Sequence, residues 1–580
     1  MTTLESLGTV LQADLLIVGG GMAGLVCALS AKEIDPDIDV LIVDKVVSGW
    51  GGKANKGGGN ISYVTEEDGF ATFLRYHVEN MGHYLEDQDL LLDYVKQTRP
   101  NLDVLERWGV HIYRDAAGEP KYVRWTEELP WRLAVMDQDV TLNLAKHARK
   151  LGVRFKDRVE IVDLLKDGER VCGAIGFGML DGACVIAKAG AVVLANGNQS
   201  YKLMRRWASA GGEGIAAAYR AGAEMRGAEF GNFINWVFVD TKEVCQGADD
   251  VLYNAKGEHI TKAIRPQIEC DVDSKEVVAW WREMKAGNGP ICANMPENYI
   301  MNVTSAAFHT DALAVRPIST AFWDLTIGKA MAASTVQGPM QPVMPGFIGE
   351  HAPVKVDHQM ATTVPGLFAI GDTCYSGTAL AGAVPAPPGR MRGSGLGFAT
   401  FSGIRCAPAA VAAARAGGGD PDAVEAEALK ARMCAPLGRV GTPAAEVVRR
   451  VQDVMAPVGY SIYKSAERMD EALAKVLEIK EQLPTLSADD PHLLAACHEA
   501  EAMVLCAEMF YRSSLAREES RGWHLREDFP QRDDPRFLKW IDLREERGEM
   551  VVSLRDVPIE TYPMKPEGAP AVLTSRGVAE

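Results

Sequence analysis

The chain has 580 residues, 47% hydrophobic and 24% charged, with a formal net charge of −17. These values belong to a folded globular protein of roughly two to four domains and exclude a disordered or fibrous chain. They also argue against nucleic acid as a partner, because neutralising phosphates requires a basic face.

The first residues, MTTLESLGTVLQAD, show no basic segment and no small-residue cleavage site. No secretory leader is expected, and a cytoplasmic location is. The nearby apolar run LLIVGGGMAGLVCALSA is interrupted by glycines and reads as strand, turn and helix, so no integral membrane segment is expected there. The eleven cysteines are scattered without C-x-x-C spacing, which indicates neither an iron–sulfur nor a zinc motif and suggests buried structural thiols. No metal site is expected.

Residues 14 to 45 carry the first chemical signature. An apolar strand, Leu15 to Val18, runs into Gly19-x-Gly21-x-x-Gly24, an alanine-rich helix, a polar turn and a second apolar strand ending at Asp44 and Lys45. Gly19 permits a tight turn, Gly21 admits a pyrophosphate to the backbone, and Gly24 lets helix and strand pack closely. Met22 and Ala23 open the helix whose N-terminus faces the phosphates. Asp44, twenty-five residues after Gly19, is placed to accept hydrogen bonds from an adenosine ribose.

The glycine-rich stretch GWGGKANKGGGNISYV follows, from Gly49 to Val64. Backbone at Gly51, Gly52, Gly57, Gly58 and Gly59 is expected along the dinucleotide, with Lys53 or Lys56 supplying positive charge; a surface loop with solvated lysines is the other reading. Three distant stretches complete the same site. AGAVVLANGNQS, 189 to 200, is a strand followed by the small-residue turn Ala195-Asn196-Gly197. TTVPGLFAIGDTC, 362 to 374, ends a short strand at Gly371-Asp372, where the aspartate could bind a ribityl hydroxyl or the pyrophosphate region. GSGLGFATFSGIRCAPAAVAAA, 393 to 414, begins with Ser394, Gly395 and Leu396 and continues as a helix whose first amides could face a flavin carbonyl.

Between these, 236 to 349 is rich in tryptophan and methionine and lacks nucleotide signals. Apolar residues recur at three- and four-residue spacing from 440 to 520, which predicts helices, and RAGGGDPDAV, 415 to 424, reads as a linker.

The ordered set IVGGGMAG, LIVDK, LANG, GEGIAAAYRAGAEM and GLFAIGD, with an arginine and a glycine-led helix next, resembles the succinate dehydrogenase and fumarate reductase flavoprotein family. The segment 516 to 534, AREESRGWHLREDFPQRDD, is similar to that family's helical-domain signature. NAKGEHI and REMKAGNGPI look most like the flavin subunit of adenylylsulfate reductase. The resemblance implies an α/β fold: a discontinuous Rossmann-like FAD-binding domain (12–235 and 350–420), an inserted α+β capping domain (236–349), a helical domain (421–545) and a tail (546–580).

It further implies FAD-dependent hydride transfer at an activated carbon–carbon bond. Arg390, with Arg392 as close competitor, matches the family's substrate-carboxylate arginine, a packing arginine being the other reading. Lys275 falls where the family has a proton-donating arginine, in a register that requires a gap. His351 is a candidate for contact with substrate or flavin, or else a loop histidine. The sequence between Asp372 and Arg390 is longer and more apolar than the resemblance leads one to expect. With Trp236, Trp280, Trp281 and Trp323 it would suit a bulkier, less charged substrate than fumarate, although each tryptophan could equally be core. Gly51 or Gly52 stands where covalent-flavin relatives have a histidine, so FAD is expected to be non-covalent. With no cluster motif in the chain, electrons are expected from an external partner, preferably a ferredoxin-like iron–sulfur protein. The alternatives are an adenylylsulfate-reductase-like flavin subunit and a non-catalytic flavin-binding protein. Homo- and hetero-oligomers both stay open.

Overall fold

The structure is a computed structural model that describes residues 2–54, 60–123, 130–136, 139–203, 211–230, 234–245, 248, 251–260, 274–297, 336, 338–347, 349, 351–375 and 394–566. Its centre is a seven-stranded mixed sheet. Strand β1 (Thr9–Val18) lies between β2 (Val40–Asp44) and β3 (Cys184–Leu194), parallel to both. A short strand, β4 (Leu367–Ala369), joins parallel to β3 although it follows 173 residues later, since Leu367 minus Leu194 is that separation. The sheet extends beyond β2 through Arg154–Asp157, and beyond β3 through an antiparallel meander of Arg170–Gly178 and Val159–Asp167.

The residues explain the layering. Leu15 to Val18 and Val40 to Asp44 are buried throughout, as expected for parallel strands covered on both faces. The helix α1 (Met22–Ile34) is buried from Met22 to Ala31, so apolar on nearly every side that it can only be an interior helix. It packs against α3 (Ser394–Arg415), which also touches β3. Among the described residues α3 alone is long and apolar enough to cross a membrane, and its packing inside this core accounts for that composition.

A second sheet, Ile234–Phe238, Met340–Phe347, Cys292–Asn294 and Leu252–Tyr253, is antiparallel. Trp236 is fully buried in it, Trp280 donates its Nε1–H to Val343 O at 3.1 Å, and Trp281 packs edge-on against Tyr463. All three pack with the described core; Trp323 lies outside the described residues.

The C-terminal region contains the expected helices, Ala444–Met455, Ala466–Lys480 and α4 (Pro491–Ala516). The expected tail differs. Residues 549–556 form a strand that pairs antiparallel with Lys539–Glu546, and this hairpin completes a five-stranded sheet with Met225–Arg226, Val354–Lys355 and Cys374–Tyr375. The sequence EERGEM supplies the turn, Arg547 and Gly548 both taking positive φ.

Candidate functional site

Because β1, β2, β3 and β4 are parallel, the residues after Val18, Asp44, Leu194 and Ala369 emerge at one edge of the sheet. This is where open α/β sheets place ligands. The first turn is built by close approach. Gly19 has φ +112°, and a Cβ there would strike the Ala195 carbonyl; a Cβ on Gly24 would strike the carbonyl of Gly19. Gly21 is different. It caps α1 without a side-chain hydrogen bond, and a Cβ on it would meet no atom within 4 Å. A Cβ on Gly52 would lie 4.0 Å from Gly21 Cα and near nothing else. The Gly51–Lys53 turn thus lies against the start of α1, with Met22 and Ala23, while among the described residues the Cβ direction of Gly21 opens on free space, at a helix N-terminus that favours anions.

Asp44 closes this turn from below. Its Oδ2 accepts from Gly20 N at 2.5 Å and its Oδ1 from Val46 N at 2.8 Å. Burial pushes its carboxyl above the ordinary aspartate range, against those two amide bonds. It therefore shapes the loop. Ser48, which was not foreseen, ties the same loop to the sheet through N and Oγ bonds to Asp157 Oδ1 at 2.9 and 2.6 Å.

Lys45 does not serve the open space. Its ammonium lies 2.5 Å from Glu213 Oε1 and 3.1 Å from Glu499 Oε1, with Glu160 at 4.0 Å. Burial opposes its charge, but Glu213, Glu160 and Glu499 outweigh it and hold its pKa well above the lysine range. The lysine, expected at the cofactor, instead binds helix α2 (Glu213–Arg220) to α4. The local sequence could not show this, since Glu499 is 454 residues away.

On the other side of the edge, Gly197 N donates to Thr373 Oγ1 at 3.0 Å and Thr373 Oγ1 donates to Gly197 O at 3.1 Å. Asp372 is half-buried beside them, and Asn198 Nδ2 reaches its Oδ2 at 3.2 Å. Ser394, Gly395 and Leu396 form the first turn of α3, whose Ser402 Oγ accepts from Gly371 N at 3.0 Å. The predicted residues Gly19, Gly21, Asp44, Ala195, Gly197 and Asp372 are thereby gathered at one edge.

His351 is not a loop histidine. It is fully buried; its Nε2–H donates to Ala228 O at 3.0 Å, which leaves Nδ1 as a lone-pair acceptor, and Nδ1 has no partner. Burial lowers its pKa to about 4, so it is neutral at physiological pH. Gly57, Gly58, Gly59, Lys56, Arg390 and Arg392 lie outside the described residues; Lys275 is placed only as backbone, in the first turn of the helix Ser274–Lys285. Among the described residues no group of three or more His, Cys, Asp or Glu could hold a metal ion.

Comparison with known proteins agrees with this geometry. A family model described as "FAD binding domain" matches residues 14–385, and one described as "Fumarate reductase flavoprotein C-term" matches residues 449–569. The fumarate reductase flavoprotein subunit of Haemophilus influenzae is 25% identical over 562 residues, covering 91% of each chain. That of Escherichia coli is 24% identical over 592 residues, covering 95% of each. In fold, the chain is similar to a mutant E. coli quinol fumarate reductase chain, with TM-score 0.80 at 23% identity over 96% of this chain and 98% of that one. Adenylylsulfate reductase from Archaeoglobus fulgidus gives TM-score 0.74 at 22% identity over 95% and 97%.

Proposed function

The chain belongs to the succinate dehydrogenase/fumarate reductase flavoprotein family, and on that premise we propose that it is an FAD-dependent oxidoreductase acting on an activated carbon–carbon bond. The observation that carries this reading is the convergence of four parallel strand ends on a cradle at the N-terminus of α1, where Gly21 opens on free space beside the Gly52 turn, in a chain matched by both family models. The residues of the cradle suit FAD: the N-terminus of α1 would hold the pyrophosphate, Asp44 a ribose hydroxyl, and Asp372 a hydroxyl on the far side of the edge. FAD, when bound, supplies a two-electron hydride donor or acceptor. The chain's part is to hold it, exclude water and orient the carbon substrate.

Attachment is proposed to be non-covalent, because Gly51 and Gly52 offer no nucleophile on the turn beside the cradle. The substrate is proposed to be an enoate or enone, or its saturated counterpart, with Arg390 as the carboxylate or carbonyl partner. The idea of an aromatic pocket for a bulky substrate loses support from Trp236, Trp280 and Trp281, which are engaged in the core. Electrons are proposed to be exchanged with a separate iron–sulfur protein; the relatives compared are themselves named as subunits.

The adenylylsulfate-reductase-like reading rests on NAKGEHI and REMKAGNGPI. These segments pack on one another: Asn254 and Asn288 each donate to Glu283 Oε2 at 2.9 Å, and Ala255 N donates to Asn288 O at 2.9 Å. In this chain they form a turn scaffold, with the two amides holding the Glu283 carboxyl below its ordinary range. That weakens their likeness as a sign of shared chemistry.

The test is a visible spectrum of purified protein, repeated on the supernatant after acid precipitation, then anaerobic reduction and reoxidation by enoates, enones and adenylylsulfate. Flavin released to the supernatant and reoxidised by an enoate or enone supports the reading. Reoxidation by adenylylsulfate alone selects the second reading, and flavin left in the pellet overturns non-covalent attachment.

A further inference from the structure

β3 and β4 leave the sheet side by side, Ile370 N donating to Leu194 O at 3.0 Å as the last rung. Beyond that rung side chains join the two loops: the Thr373 hydroxyl is bonded to both Gly197 N and Gly197 O, and the Asn198 amide to Asp372. Asn198 is fully buried, and its Oδ1 has no partner. An unpaired buried carbonyl oxygen costs free energy, so an aliphatic side chain of similar size would fill this place better if packing were the whole task. What Asn198 adds is a donor aimed at the Asp372 carboxylate, which is itself half-buried at the cradle edge.

We propose that Asn198 is a positioning residue of the cofactor site: its amide holds Asp372 in the orientation that receives a hydroxyl of FAD. This rests on the reading of Asp372 as an FAD ligand. A buried amide is suited to the role, because it fixes a carboxylate rotamer without neutralising its charge, whereas a lysine or arginine would compete with the hydroxyl for the same oxygens.

The test uses full-length apoprotein titrated with FAD and followed by flavin fluorescence, in a double-mutant cycle. Asn198→Ala is expected to weaken FAD binding about tenfold to a hundredfold, the range for a hydrogen bond to a charged group. Asp372→Ala is expected to weaken it at least as much, and the double variant to be no weaker than Asp372→Ala alone. Losses that simply add would show that Asn198 acts independently of Asp372 and overturn the proposal, as would unchanged binding by Asn198→Ala. Unchanged binding by Asp372→Ala would instead remove the reading beneath it. Asn198→Asp keeps the volume but sets two carboxylates against each other, and supplies the test should the alanine variant not fold. Its FAD affinity should rise as pH falls from about 8 to about 5, when one proton is shared between the pair. A profile parallel to that of the unsubstituted protein would overturn the proposal.

Discussion

The cradle edge and the segment from Arg517 to Asp534 both gather polar groups in the interior, by opposite rules. At the cradle the polar groups are mostly backbone, and Gly21 and Gly52 face open space. In the C-terminal segment the charges are satisfied by one another. Arg517 donates to Glu229 at 3.1 Å, to Glu519 at 2.8 Å and to the carbonyls of Phe537 and Lys539. Arg521 clamps Glu519 with bonds of 2.7 and 2.9 Å and reaches Asp534 at 2.7 Å, while Arg526 holds Asp528 through two bonds of 2.8 Å. His524 Nε2–H donates to Arg517 O, so Nδ1 accepts from Lys464 Nζ at 3.1 Å. Burial drives the pKa values of Lys464 and His524 well below their ordinary ranges. A dense set of perturbed groups can therefore be a closed scaffold, whereas the binding edge is marked by space at a helix N-terminus.

The sharpest way to break this contrast is to open the scaffold. Arg517→Met should destabilise the protein by about 3–5 kcal/mol, because it strands the buried Glu229 carboxylate. Adding Glu229→Gln should recover part of the loss. Urea denaturation of both variants checks this; an unaltered midpoint in Arg517→Met would mean that the network bears no load.

His351 adjoins both regions, bonded to the carbonyl that precedes Glu229. Its folded pKa of about 4 lies below the ordinary 6.5. Between those values the unfolded chain binds more protons, so stability rises with pH. The contribution of about 3 kcal/mol should be fully present above pH about 6.5 and lost as pH falls toward 4. His351→Gln should flatten that part of the stability profile.

Two glycine substitutions separate folding from binding at the cradle. Gly19→Ala should cost about 1–3 kcal/mol of folding stability from backbone strain, before its contact with Ala195 is counted. Gly21→Ala should leave apoprotein stability within about 0.5 kcal/mol, since its Cβ has room, while clearly weakening FAD binding by occupying that room. Thermal unfolding of the apoproteins alongside FAD titration would distinguish the two. Equal stability losses would show that Gly21 is as packed as Gly19 and that the cradle is not open.

Much of the binding edge was legible from local pattern. Apolar strands ending in Gly19, Asp44, Ala195 and Gly371 can be read wherever they occur, because strand burial and tight turns are set by neighbouring residues. The family resemblance then ordered these pieces along the chain. Contacts between distant charges were not legible. Lys45 reads as a cofactor residue because it follows Asp44, yet it is claimed by Glu213 and Glu499. Trp236 and Trp280 read as pocket or core with equal ease until the capping sheet encloses them. The strand at 549–556 lacks an obvious signal because its pairing partner, Lys539–Glu546, is itself half exposed.

By itself, then, the sequence determined the glycine-rich turn after β1 and the family, both of which depend on short-range spacing and glycine chemistry. Only the tertiary structure decided which polar groups remain open to a ligand. That choice depends on the partners brought within about 3 Å of each side chain, and Coulomb and hydrogen-bond energies fall off too steeply for sequence proximity to stand in for them.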